Sequence, residues 1–303
     1  MIMFISPGQT DMQTAASNRV HEMDWPILRN NVSDFLQHAK RLPQVSATWE
    51  IDITQAHERI RQIQRRTRIA ISFNAYLIFL ISRTIQKHPE VQTIRIPWRG
   101  KIAMFDGADI STIVEQRLPD KTSFPAPYVV RNAESKSLAE ICLEMRQASK
   151  RHITNNELNA EIRFRRERLA QLPGWLRRLF WFWVDSSPVR RRQVRGTFGL
   201  TNLNFASQGM TAGFGHFLSI LSSSLCIGSS YDRLVPDAED PRGFSVRRHL
   251  CCTLAANHLV IDGAPLTRFA KTLTHALETA EGLDEQFAED LIAQYQQAQD
   301  SKR

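Results

Sequence analysis

The stretch Asn257-His258-Leu259-Val260-Ile261-Asp262-Gly263-Ala264-Pro265 leaves a strand-like run, Arg248 to Ala256, and opens into an amphipathic helix. A histidine at a strand end, with Asp and Gly four and five residues on, has the parts of a general base on a tight turn. Imidazole is the side chain whose ordinary pKa lies nearest neutrality, so His258 can take a proton from a thiol, hydroxyl or amine and return it. Asp262 would fix the turn, and Gly263 would supply a backbone angle barred to residues with a Cβ. The competing reading is a structural turn beside a satisfied histidine. A chain of this composition contains one His-x-x-x-Asp-Gly by chance roughly 2% of the time, so the surrounding sequence has to decide.

Upstream, helix and strand patterns alternate. The spacing of Ile27, Val32, Phe35, Leu36 and Ala39 predicts a helix ending near Pro43, and residues 45–53 alternate as a strand. Thr54 is a candidate N-cap for a basic helix, Gln55 to Arg68. Ser72 is one for an apolar helix, Phe73 to Lys87, that is hydrophobic nearly all round and should be buried. Short strands are predicted at 93–96, 101–105 and 109–115, then a proline-rich loop at 119–127 and a strand at 128–131. A helix from Leu138 to Ala148 follows, capped by Ser137. A strand from Gly196 to Leu203, the strand into His258, a helix from Ala264 to Ala280 and a polar helix from Asp284 to Gln297 complete the series. The interspersed pattern argues for a single mixed α/β domain. Gly209, Gly213 and Gly215 lack the spacing of a dinucleotide fingerprint, and no βαβ unit surrounds them.

The bulk numbers exclude several classes. At 303 residues the chain can bury a substantial core. No apolar run is long enough to span a bilayer, and the N-terminus lacks a basic leader. Cys142, Cys226, Cys251 and Cys252 show no Cys-x-x-Cys spacing, and the adjacent pair on a strand must point to opposite faces. A reduced, cytoplasmic protein with buried thiols and no metal site is expected.

The net charge of +8 is concentrated. Residues 163–195 hold ten arginines against Glu167 and Asp185, which equals the balance of the whole chain. Within this segment, Leu172 to Trp183 reads as an amphipathic helix with snorkelling arginines, followed by Arg190-Arg191-Arg192. One reading is a helix packed on its own domain with a solvated basic rim. Three sharper ones are a membrane-surface contact, a dock for an acidic carrier protein, and a clamp for coenzyme A phosphates. Nucleic acid is not expected, since no base-reading module accompanies the charge.

The flanking motifs supply the context that the turn lacks. Pro43 to Thr54 (PQVSATWEIDIT), Ser72 to Tyr76 through His88-Pro89-Glu90, Val130 to Ile141 (VRNAESKSLAEI), Gly196 to Leu203 (GTFGLTNL) and His258 to Gly263 occur in this order. Together they resemble the catalytic core of the dihydrolipoamide acyltransferases of 2-oxo acid dehydrogenase complexes, in the chloramphenicol acetyltransferase-like superfamily. The resemblance implies a two-layer α/β sandwich with a mixed β-sheet. It divides the chain into an N-terminal arm at 1–25, an acyltransferase core at 26–280 with a basic aromatic insertion at about 150–195, and an extra C-terminal helix at 281–303. In a departure from the family, no lipoyl domain, subunit-binding domain or Ala/Pro linker is read before the core, so a stand-alone unit is expected.

By the same resemblance His258 is the catalytic base, and Thr201 supplies the hydroxyl that steadies the tetrahedral oxyanion. Thr201 read alone is an ordinary β-branched strand residue. Asp262 would pair with an arginine from the N-terminal part of the core, with Arg29 at about the right place and Arg19 or Arg41 as alternatives. The family commonly has Asp before and Arg after the histidine, where this chain has Asn257 and Leu259, which removes charge beside the imidazole. Relatives with two fused units supply both walls of the channel from one chain. This chain has room for one unit, so a homotrimer is expected, with Thr201 and His258 from different subunits. The leading expectation is a coenzyme A-dependent acyltransferase using acyl-CoA and a small-molecule or carrier-bound hydroxyl, amine or thiol acceptor, cytoplasmic or peripheral to the membrane. The alternative is a non-catalytic trimeric scaffold or docking module derived from that core.

Overall fold

The computed structural model describes residues 24–27, 29–117, 123–150, 168–203, 209–237 and 242–300. The expected arm at 1–25 lies almost wholly outside these residues, as does 151–167 of the insertion. Helix α1 (Arg29–Ala39) leads into strand β1 (Gln44–Asp52), α2 (Thr54–Thr67) and α3 (Phe73–Lys87). A small hairpin, β2 (Ile94–Ile96) and β3 (Lys101–Ala103), precedes β4 (Ile110–Arg117), β5 (Ser123–Val130) and α4 (Leu138–Lys150). Helices α5 (Gly174–Asp185) and α6 (Pro188–Arg195) follow. Then come β6 (Phe198–Asn202), β7 (Ser223–Pro236), β8 (Phe244–Asn257), α7 (Gly263–Glu278) and α8 (Glu285–Asp300).

Six strands form one mixed sheet in the order β1-β8-β7-β6-β4-β5. The pairs β7-β6 and β6-β4 are parallel and the others antiparallel. Helices α2, α3, α4, α7 and α8 pack as a layer on one face. Strand alternation produces this: Leu225, Ile227, Leu250, Cys252, Leu254 and Ala256 join the core under the helices, while Cys226 and Cys251 are buried on the opposite face. The four thiols are free and buried. Helix α3 lies at the centre of the helical layer, and Phe198 of β6 meets Phe269 of α7 with ring centroids 5.5 Å apart.

Local chemistry sets the element ends. Ser72 accepts from Ala75 N at the start of α3, and Ser137 with Glu140 forms a reciprocal capping box at the start of α4. Thr54 does not cap α2. It is the first helical residue, and both its N–H and its hydroxyl donate to Asp52 Oδ1, an Asx-type turn that takes over the role expected of Thr54. The proline-rich segment is also not all loop, because β5 runs from Ser123 and contains Pro125 and Pro127. It is an edge strand, the position where a missing N–H is tolerated. Gly196, between α6 and β6, has φ +77°, and a Cβ there would lie 2.6 Å from Asp109 O, so this turn does require glycine.

A buried carboxylate ties α6 to the sheet. Asp109 accepts from Arg131 Nη1 (2.9 Å), Arg192 Nε (3.0 Å) and Asn132 N (2.9 Å). Burial alone would raise its pKa, but the bonds from Arg192, Asn132 N and Arg131 outweigh burial and hold the carboxyl below its ordinary 3.8. Asp109→Asn is expected to cost about 2 kcal/mol in urea unfolding near neutral pH, discounted for the partial exposure of both arginines. Because the folded-state pKa is the lower one, this stabilisation is complete above 3.8 and is lost as pH falls through the lowered value. The Asn variant should lack that component of the acid loss.

Candidate active site

Strand β8 lies between β1 and β7, and its register brings Asn257 opposite Gln44 at the point where the chain turns. Main-chain bonds fix the turn from both neighbours: His258 N donates to Pro43 O (2.8 Å) and Asn257 N to Ser222 O (2.8 Å). The Asn257 side chain is buried and accepts from Leu259 N at 3.1 Å, while Val260 N and Ile261 N donate to Asn257 O. Gln44 braces the same end, donating to Ala39 O and Ser219 O and accepting from Ser219 N. Sequence reading missed Gln44, Pro43 and Ser222. Two of the three act through backbone carbonyls, which leave no trace in residue type.

The His258 ring is oriented by one short contact, Nδ1 to Ile261 O at 3.0 Å. A carbonyl oxygen only accepts, so Nδ1 carries the hydrogen in the neutral ring and Nε2 keeps a free lone pair. The side chain is 47% exposed, so the ring is reachable from solvent. Asp262 Oδ1 lies 3.8 Å from Nδ1, beyond hydrogen-bond reach, and its side chain is 87% exposed. It occupies the N-cap position of α7 without a side-chain cap bond, placing negative charge at the helix N-terminus.

Two expectations for this turn need correction. Gly263 is the first residue of α7, it is not among the residues with positive φ, and a Cβ there would meet nothing within 4 Å. The extended conformation of Asp262 (φ −87°, ψ 169°) makes the turn, so no left-handed residue is needed. Arg29 does not pair with Asp262, and among the described residues no arginine does. Helix α1 is tied instead to the basic aromatic segment, through Asp34 with Arg177 (2.7 Å) and Asn30 with Ala170 O (3.0 Å), while Asp262 projects into solvent.

Thr201 lies on β6, half-buried, on the face away from the helices, since its neighbour Leu200 enters the core. It is not brought to His258 within the chain. Thr201 pairs with Cys226, and Cys226 with Thr253, so His258 lies two strands across and five residues further along. At about 3.3 Å per residue and 4.8 Å per strand, the two are roughly 20 Å apart. Next to the turn, between the free edge of β1 and α7, a groove of about 560 Å³ is lined mainly by apolar groups, including Val45, Trp49, Gly263, Leu266 and Ala270. Trp49 Nε1 donates to Thr274 Oγ1 (2.9 Å) across its floor. Among the described residues, no group of His, Cys, Asp or Glu could hold a metal ion.

The basic aromatic segment folds against this end of the sheet with apolar side chains on both sides of α5, Val184 being buried beneath it. In α5, Arg177 turns inward to Asp34, and Asp185 inward to Arg195 (3.2 Å) and His38 (3.4 Å). Trp175, Leu179, Phe182 and Trp183 face outward, so the arginines of α5 do not all snorkel around buried aromatics. The Arg190-Arg191-Arg192 cluster is not a free basic rim. Arg190 stacks on Trp183, Arg191 donates to Ile220 O, and Arg192 binds Asp109 and Asn132. Burial draws the Arg195 guanidinium down to about 10, with Asp185 opposing and Arg191 adding to the effect.

A mixed sheet under one helical layer, with a histidine turn closing the strand next to the edge, defines a two-layer α/β sandwich. More particularly, residues 18–162 match the family described as 2-oxoacid dehydrogenases acyltransferase (catalytic domain), and the chain resembles that core. Over 216 residues it is 28% identical to the mitochondrial dihydrolipoyllysine-residue acetyltransferase component of the pyruvate dehydrogenase complex of Schizosaccharomyces pombe. That match covers 70% of this chain, and the chain spans 35% of the length of that relative. Among solved structures, the Azotobacter vinelandii dihydrolipoamide acetyltransferase aligns with TM-score 0.63 at 18% identity, covering 91% of this chain and 99% of its own. The cubic core of a pyruvate dehydrogenase multienzyme complex aligns with TM-score 0.61 at 18% identity and the same coverage. At these identities the structures establish the fold.

The ring geometry carries its own test. In ¹⁵N NMR at a pH where the imidazole is neutral, His258 is expected in the Nδ1–H tautomer. An Nε2–H ring would show that Ile261 O does not orient the imidazole.

Proposed function

We propose that the chain is a coenzyme A-dependent acyltransferase working as a homotrimer, with His258 of one subunit and Thr201 of the next facing a shared channel. The observation that carries this reading is the His258 ring: Nδ1 is committed to Ile261 O, the side chain is 47% exposed, and an apolar groove lies close to the turn between β1 and α7. In the Azotobacter enzyme a serine, a histidine and an asparagine have been investigated for their role in the catalytic mechanism. The histidine and asparagine are four residues apart, the interval between His258 and Asp262 here.

The chemistry follows from these groups. Nε2 takes the proton of an acceptor hydroxyl, amine or thiol as the acceptor heteroatom bonds to the thioester carbonyl carbon. The carbonyl electron pair moves onto oxygen, and the Thr201 hydroxyl of the neighbouring subunit donates to that oxyanion. Collapse re-forms the carbonyl, breaks the carbon–sulfur bond and expels coenzyme A as thiolate, which recovers the proton from Nε2. Asp262 acts from a distance, because exposure at the helix N-terminus leaves it only a weak electrostatic influence on the ring. The groove between β1 and α7 has a size suited to the extended arm or acyl chain of the thioester.

His258→Ala is expected to lower thiol release from acetyl-CoA or longer acyl-CoAs by about 10³-fold, and Thr201→Val by about 10²-fold. Light scattering should give an unchanged assembly mass for both. An undiminished rate in His258→Ala overturns the assignment of the base. Failure of the wild-type chain to bind or turn over any thioester favours the scaffold.

A further inference from the structure

The outward face of α5 is unusual for a helix on a water-soluble core. Trp175, Leu179, Phe182 and Trp183 are each more than half exposed, while the same helix turns Arg177 and Asp185 inward to ion pairs. An ordinary surface helix does the reverse. The patch extends beyond α5, because Trp98, in the connection between β2 and β3, meets Phe182 edge-on with ring centroids 5.0 Å apart. Ile102 and Met104, just beyond that connection, are also more than half exposed. At about half of the 150–250 Å² that an aromatic side chain can bury, the four rings and Leu179 alone expose roughly 500 Å² of apolar surface, at the upper end for a monomer.

Charge identifies the occupant. The two segments that build the patch, 93–105 and 168–184, contain no Asp or Glu, and Arg95, Arg99, Lys101, Arg168 and Arg178 are all exposed. Indoles beside guanidinium and ammonium groups, on a protruding helix face and hairpin tip, match the headgroup layer of an anionic bilayer, which takes apolar rings and cations together. We propose that α5 and the β2-β3 connection form a peripheral membrane-contact surface. Trp98, Trp175 and Trp183 enter the headgroup layer, and Arg99, Lys101 and Arg178 meet lipid phosphates.

The surface adjoins the end of the sheet that carries the histidine. Asp185 of α5 pairs with His38 of α1, and α1 leads directly to Pro43, whose carbonyl holds His258 N. Membrane contact there brings the His258 turn towards lipid-borne molecules. Lipid binding itself does not depend on whether His258 turns over thioesters.

Sedimentation with phosphatidylcholine vesicles, with and without phosphatidylglycerol, tests this. The wild-type chain and His258→Ala should pellet alike with the anionic vesicles, less so as salt rises, and remain in solution with phosphatidylcholine alone. The exposed triple variant Trp98→Ser, Trp175→Ser, Phe182→Ser should lose binding with its assembly mass unchanged. Arg99→Gln, Lys101→Gln and Arg178→Gln should each lower partitioning roughly fivefold, about a hundredfold together. The proposal is overturned if the wild-type chain stays in solution with both vesicles, or if the Trp/Phe variant still pellets. It is also overturned if that variant changes assembly mass, which would mean that a second copy of the chain covers the patch.

Discussion

The two-sided pairing of β8 is the constraint on which the rest of the structure depends. Its final residues are bonded to β1 on one side and β7 on the other, and its side chains alternate between the helical layer and the opposite face. A slip of one residue would turn Cys252, Leu254 and Ala256 out of the core, so burial fixes the register. That register then decides where His258 emerges, and the carbonyls of Pro43, Ser222 and Ile261 decide how it is held. The imidazole is thus positioned by main-chain geometry that core packing enforces.

The same geometry separates the chemistry from its partner. Thr201 sits on a strand that runs parallel to β7, two places from β8, and no rearrangement short of breaking the sheet brings it to the imidazole. A protein built from one such unit completes the proposed channel only across a subunit boundary. Heterologous contacts that close on themselves into a ring meet this requirement, as each copy offers one histidine turn and one β6 face. The free edge of β1 and the groove beside it border the turn, so this boundary and the thioester's path would share a surface.

Much of the fold was legible in the sequence, because local patterns there coincide with burial. The all-round apolar run at 73–87 became the buried helix α3 with Ser72 at its cap, and the adjacent Cys251 and Cys252 point to opposite faces. The readings that failed depended on partners distant in the chain. Which face of α5 points outward is set by Asp34 and by the Asp185, His38 and Arg195 cluster, which no periodicity within the helix reveals. Pro125 and Pro127 looked like loop because only the strand order identifies β5 as an edge. Gly263 looked necessary in the motif, yet the conformation of Asp262 makes the turn, and Gly263 simply begins α7.

Subunit complementation tests the central claim most directly. His258→Ala and Thr201→Val chains, each nearly inactive alone, are unfolded together and reassembled at equal amounts, and thioester turnover is then measured. Random mixing joins an intact His258 to a neighbour's intact Thr201 at about a quarter of the boundaries, so activity should recover to about a quarter of the wild-type level. Mixed assemblies that stay as inactive as the separate variants would contradict a site shared between subunits.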